Sequence, residues 1–187
     1  NKAAFTNDKA VGGANTHLQG GYDLVLDMSP DFGVDLLSGL NVFVGGSRTE
    51  VDAGSNSVDP TKDHEEVIAG FTYAYGPVTV GFQKMGEFTG DQTAGNTEYY
   101  DNEAFGISFN VNDNLSLSYG EFESKRHKIG SGQTNKTVIG STESFQVAYT
   151  MGGLSLKLAE SSVTNASYST ASANDHDGRT IALSLAF

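Results

Sequence analysis

The sequence has no cysteine, no tryptophan and only three prolines. Without cysteine there is no disulfide, no thiolate zinc site and no thiol nucleophile. Basic residues are also scarce: 11 Lys and Arg stand against 23 Asp and Glu, for a net charge of −12. A duplex nucleic-acid partner is excluded on that ground, because phosphate binding needs basic patches. No apolar run approaches the roughly 18 residues of a membrane helix. The first ten residues, NKAAFTNDKA, lack the apolar core of a signal peptide, so the sequence reads either as a mature chain or as one whose start is missing. No sustained helical period, P-loop, dinucleotide fingerprint or nucleophile motif is present.

What the chain does have is glycine, 23 of 187 residues, and a two-residue apolar period that returns again and again. Tyr22, Leu24, Leu26 and Met28 alternate with Asp23, Val25 and Asp27. Val34, Leu36, Leu40, Val42 and Val44 follow a Ser-Pro turn. Val67 to Tyr75, Val78 to Phe82, Phe105 to Val111, Leu115 to Tyr119, Phe145 to Met151, and Leu154 to Leu158 repeat the pattern. The chain closes on Ile181, Leu183, Leu185 and Phe187, with Thr180, Ala182, Ser184 and Ala186 between them. Extended chain sends such alternating sets to opposite faces. The pattern predicts about nine strands of about 8–12 residues, the length that crosses a bilayer as tilted strands.

Connections alternate in length. Tight turns are expected at 29–33, 76–77, 112–114 and 152–153, and long polar loops near 47–64, 87–100, 126–142 and 165–177. This is an antiparallel up-and-down meander with all short turns at one end. A soluble β-sandwich shares the alternation. Three features favour a transmembrane β-barrel instead. The polar set is small and nearly uncharged, whereas a solvated face carries more Lys and Glu. No Greek-key crossover is evident. Tyr73, Tyr75, Phe105, Tyr119, Phe145, Tyr149 and Phe187 sit mostly near strand ends, as in an interfacial girdle. Gly70, Gly81, Gly106 and Gly120 recur in the polar set, too small to plug a narrow barrel, so a wider, water-holding one is expected.

With short turns on the periplasmic side, Phe187 ends there and the start of a nine-strand chain lies outside. An even-stranded closed barrel needs both ends on one side, and Asn1–Gln19 show no convincing alternation. Residues 1–187 are therefore expected to be a single barrel domain lacking its N-terminal strands.

The stretches SFQVAYTMGGLSLKLAE, NASYSTASANDHDGRTIALSLAF, EAFGISFNVNDNLSLSYGE and YDLVLDMSPDFGVDLLSGLNVFVG resemble the C-terminal half of alphaproteobacterial outer-membrane porins, in particular those of the marine Pelagibacter-like group. The resemblance implies a homotrimer of sixteen-stranded barrels in the outer membrane of a Gram-negative bacterium, passing ions and small hydrophilic solutes by passive diffusion. It implies that the terminal Phe187 is read by the outer-membrane assembly machinery. It also implies a constriction loop from the N-terminal half, of which this sequence shows no counterpart.

Strand parity nominates Asp23, Asp27, Gln83, Arg126, Gln146 and Lys157 as pore-lining residues. Lys157 is the most telling, because a cation facing lipid at mid-bilayer would cost about 2–4 kcal/mol. The four histidines, His17, His64, His127 and His176, fall in loops or at strand ends, and no two share a ligand spacing on one strand. No enzyme activity and no cofactor are expected. The loop acids Asp91, Glu98, Asp101, Asp175 and Asp177 offer oxygen ligands for calcium, without EF-hand spacing. The alternative to a porin is a small structural or adhesion-type outer-membrane barrel acting through its long loops.

Overall fold

The computed structural model describes residues 18–30, 33–51, 62–130, 132 and 136–186. The expectations for Phe187, His17 and the first 17 residues lie outside that range. Nine strands follow in chain order: β1 (Leu18–Met28), β2 (Leu40–Val51), β3 (His64–Tyr75), β4 (Val78–Phe88), β5 (Thr97–Asn110), β6 (Leu115–Lys128), β7 (Thr137–Met151), β8 (Leu154–Thr164) and β9 (His176–Leu185). They form one antiparallel sheet in the order β1 to β9, every neighbour in sequence a neighbour in space. Among the described residues β1 and β9 pair with no second strand, so the sheet is open at both edges.

The strands run further than the apolar alternation. The longest, β7, has 15 residues, and the long connections shrink to 52–63, 89–96, 129–136 and 165–175. Polar residues such as Ser124, Lys125 and Arg126 continue the ladder against Gly140, Ile139 and Val138, because backbone pairing needs only extended chain. The first connection runs the other way. Val34 and Leu36 were expected on a strand face, but β2 starts at Leu40 and Asp35–Leu37 form a 3-10 turn. Tyr73 Oη donates to Leu36 O at 2.5 Å, which holds this turn against β3. At 76–77 and 152–153 the tight turns fall where the glycines predict, with Gly76 at φ 57° and Gly152 at φ 58°, conformations a side chain disfavours.

Register assigns every strand residue to a face. Tyr75 pairs with Val78, then in turn Phe109, Leu117, Val147, Leu158 and Ile181 follow across the sheet. The β7–β8 hairpin closes at Met151 and Leu154, beyond that row by four residues over four strand steps. Taking the short turns as level, one residue of rise (about 3.4 Å) per strand spacing (about 4.8 Å) makes the strands lean about 35°. Spanning barrels lean about 35–45°.

One face is apolar, and nothing among the described residues covers it. Leu24 is 75% exposed, Ile181 68% and Leu183 63%, and Phe71, Phe82, Phe105, Ile107 and Phe145 are exposed beside them. Among large apolar strand residues that stand exposed, only Val25 and Phe122 lie on the opposite face. Val138 is the sole buried hydrophobic side chain among the described residues. The sheet thus has no core of its own.

Candidate functional site

The opposite face carries small and polar side chains. Across the middle of the sheet Gly81, Gly106, Gly120, Ser144, Ser161 and Gly178 stand in one register row. Nothing in that row is larger than serine, and Ser161 Oγ donates to Ser144 Oγ at 2.9 Å. A Cβ added at Gly106 would first meet an atom at 3.9 Å, so these glycines are not forced by crowding. They leave a shallow trough running across six strands.

All six nominated polar residues share this face. Asp23 pairs with Ser47 and Asp27 with Phe43. Asn41 Nδ2 donates to Asp27 Oδ1 at 2.7 Å and to Ser29 Oγ at 3.2 Å, fixing the carboxylate beside the first turn. Gln83 lies between Gly70 and Ala104. Gln146 lies between Ser118 and Ala159, and Lys157 between Ala148 and Ala182, so the Lys157 ammonium stands among small neighbours and is exposed. The residues do not converge on one point. They are spread over the face from the first turn to the rim.

Arg126 is the exception, for a loop lies over it. After β8 the chain takes three left-handed conformations, at Asn165 (φ 53°), Ser167 (φ 57°) and Tyr168 (φ 56°). Each costs on the order of 1 kcal/mol or more in a non-glycine residue. Fixed contacts offset this: Asn165 Nδ2 donates to Ile139 O at 2.9 Å, and Asn165 N donates to Asp175 Oδ1 at 2.8 Å. The bend lays Tyr168 on the polar face. Its hydroxyl is 2.6 Å from Ser124 Oγ, its ring centroid is 4.9 Å from the Arg126 guanidinium carbon, and its carbonyl accepts from Arg126 Nη2 at 3.2 Å. Tyr100 packs on the same ring at 5.4 Å. The buried side chains Val138, Asn102 and Ser124 cluster under this loop. Sequence reading found Arg126 and missed Asn102, Ser124 and Tyr168, because a fold-back of a Ser- and Asn-rich loop leaves no periodic signal.

The apolar face has its own charged border. From the short turns, three or four apolar side chains run along each of β4 to β9 before a charge appears: Lys84, Glu103, Glu121, Glu143, Glu160 and Arg179. At a 35° lean that is an apolar band about 17–22 Å tall. Lys84 Nζ bridges Asp101 at 2.9 Å and Glu103 at 3.2 Å, and Arg179 Nη2 meets Glu160 at 2.6 Å. Tyr119 Oη donates to Glu143 Oε2 at 3.3 Å and to Glu121 Oε2 at 3.5 Å, below the charged row. The aromatics expected as a girdle, from Tyr73 to Tyr149, all stand on this face.

The loop acids that offer oxygen ligands are not gathered among the described residues. Asp91 closes its own loop, accepting from Thr93 N and Asn96 Nδ2, each at 2.7 Å. Asp175 accepts from Asn165, while Asp101 and Asp177 lie on the apolar face. No helix among the described residues is long and apolar enough to cross a membrane, which says nothing of strands. No protein-family model matches this chain, and no curated protein matches it in sequence.

Proposed function

We propose that this chain forms part of the wall of an outer-membrane porin, a water-filled channel for passive diffusion of ions and small hydrophilic solutes. The observation that carries the reading is the uncovered apolar face, continuous over nine strands, backed by a face of glycine, serine and other small polar residues. Water penalises the first face at about 25 cal/mol per Å², whereas hydrocarbon does not. A membrane then puts the apolar face in lipid and the small, polar face against water. The strand lean, the charged border and the aromatics support the same placement.

In lipid the open edges of β1 and β9 must be paired. The two strands run in the same direction, so they would meet in parallel. An antiparallel closure needs an odd number of further strands, and sixteen in all would supply seven. The assembly is then a trimer of such barrels, reached through the assembly machinery that reads Phe187. Lys157, Arg126, Gln83, Gln146, Asp23 and Asp27 line the channel, and the loop bearing Tyr168 narrows it.

The test is planar-bilayer recording of the detergent-refolded chain and of a version carrying the upstream genomic sequence, both assayed for heat-modifiable migration. Discrete conductance steps from the longer chain support the porin. Folded, heat-modifiable protein with no conductance from either overturns it in favour of a small structural or adhesion-type barrel.

A further inference from the structure

We propose that His64, Glu66 and Glu87 bind a divalent transition-metal ion on the polar face, close to the long-loop end of β3 and β4. Their placement follows from the backbone. A two-residue step puts His64 and Glu66 on one face of β3, and the ladder sets Glu87 of β4 directly opposite Glu66. His64 Nε2 lies 3.4 Å from Glu66 Oε1 and 3.7 Å from Glu87 Oε1, and all three ligand atoms fall within 4.8 Å of one another. Zinc-type bonds of about 2.1 Å at tetrahedral angles require ligand atoms about 3.4 Å apart. The His64 pairs are already at or near that spacing, and the two carboxylates lie within 4.8 Å of each other.

A second observation points the same way. Ser47 Oγ donates to Glu66 Oε2 at 3.0 Å, so one oxygen of this carboxylate is tied back and the other is turned to His64. Outer hydrogen bonds of this kind orient metal-ligating carboxylates. Two carboxylates directly opposed across a ladder also repel each other. Among the described residues no Lys or Arg is paired with either of them. The nearby cations are engaged on the other face, Arg48 with Asp63 and Glu65, Lys84 with Asp101 and Glu103. A divalent ion would neutralise the pair.

The imidazole sets the class of ion. One nitrogen with two carboxylate oxygens favours zinc, cobalt, nickel or copper over calcium and magnesium, which take oxygen ligands. Three protein ligands leave a position for water. His64 and Glu87 are about one-third exposed, so the ion reaches them from solvent without an opening step.

The experiment is titration of the untagged, detergent-refolded chain with Co²⁺, followed by its visible absorption and by displacement with Zn²⁺, with Mg²⁺ as the control. The expected result is one Co²⁺ per chain, displaced by Zn²⁺ and indifferent to Mg²⁺. Ser47→Ala should weaken it about tenfold, and His64→Asn and Glu87→Gln should weaken it further, while His127→Ala and His176→Ala leave it unchanged. A β-sheet circular dichroism spectrum shows that each variant is folded. Co²⁺ binding no tighter than Mg²⁺, or binding that survives both His64→Asn and Glu87→Gln, overturns the site. The readout needs no conductance, so it stands or falls apart from the channel reading.

Discussion

Tyr168, on the loop after β8, lies with its ring 4.9 Å from the Arg126 guanidinium carbon of β6, 42 residues away in sequence. The contact joins the loop to the polar face across an intervening strand. Losing the cation–π contact and the Ser124 hydrogen bond would cost about 1–3 kcal/mol. Tyr168→Ala should therefore raise amide hydrogen exchange in 165–175 by roughly tenfold to a hundredfold, with the β6–β7 ladder unchanged. In a planar bilayer the same variant should conduct more and favour anions more, since Arg126 is uncovered.

The trough of small residues predicts a different response. Gly106→Ala should be neutral, because its added carbon meets nothing closer than 3.9 Å. Gly106→Trp should keep heat-modifiable folding and lower the conductance, because the indole fills the trough.

Lys157 stands among Ala148, Ala182 and Ala159 on the polar face, with no bulky neighbour to shield it. Lys157→Glu should shift the reversal potential toward cation preference in a salt gradient. Glu143→Gln, on the apolar face, should leave that potential unchanged.

Asp91 gives a pH dependence outside the strands. Burial pushes its carboxyl up, but hydrogen bonds from Thr93, Asn96 and Gln92 outweigh this and hold it below the usual value. A depressed carboxylate adds stability that is present above its unfolded pKa and is lost as pH falls through the folded one. Protection of the 89–96 loop should hold at neutral pH and fall below about pH 4, measured by hydrogen exchange. Asp91→Asn should weaken protection at neutral pH and flatten the profile.

The ladder register predicts a strand lean of about 35°. Polarised infrared dichroism of the protein in oriented bilayers should return about 35–45°. Random orientation, as for a sheet lying outside the bilayer, would contradict the membrane placement.

Alternation by twos was enough to assign the strands, because extended chain sends adjacent residues to opposite faces, one apolar and one polar. It named Lys157, Gln146, Gln83, Asp23, Asp27 and Arg126 as sharing one face, and the ladder puts all six there. It failed at Val34 and Leu36, where the same apolar spacing serves a 3-10 turn held by Tyr73. It also stopped the strands too early, since paired backbone continues past the last apolar side chain.

Periodicity within a strand is local and is written in the sequence. Which residue stands opposite which depends on register between strands, and no single segment carries that. Thus the sequence by itself determined the two faces, the turns at 76–77, 112–114 and 152–153, and the meander. Only the tertiary structure set Glu87 against Glu66, aligned Gly81 with Gly106 and Gly120, and laid Tyr168 over Arg126. Each of these joins residues whose distance along the chain says nothing of their distance in space.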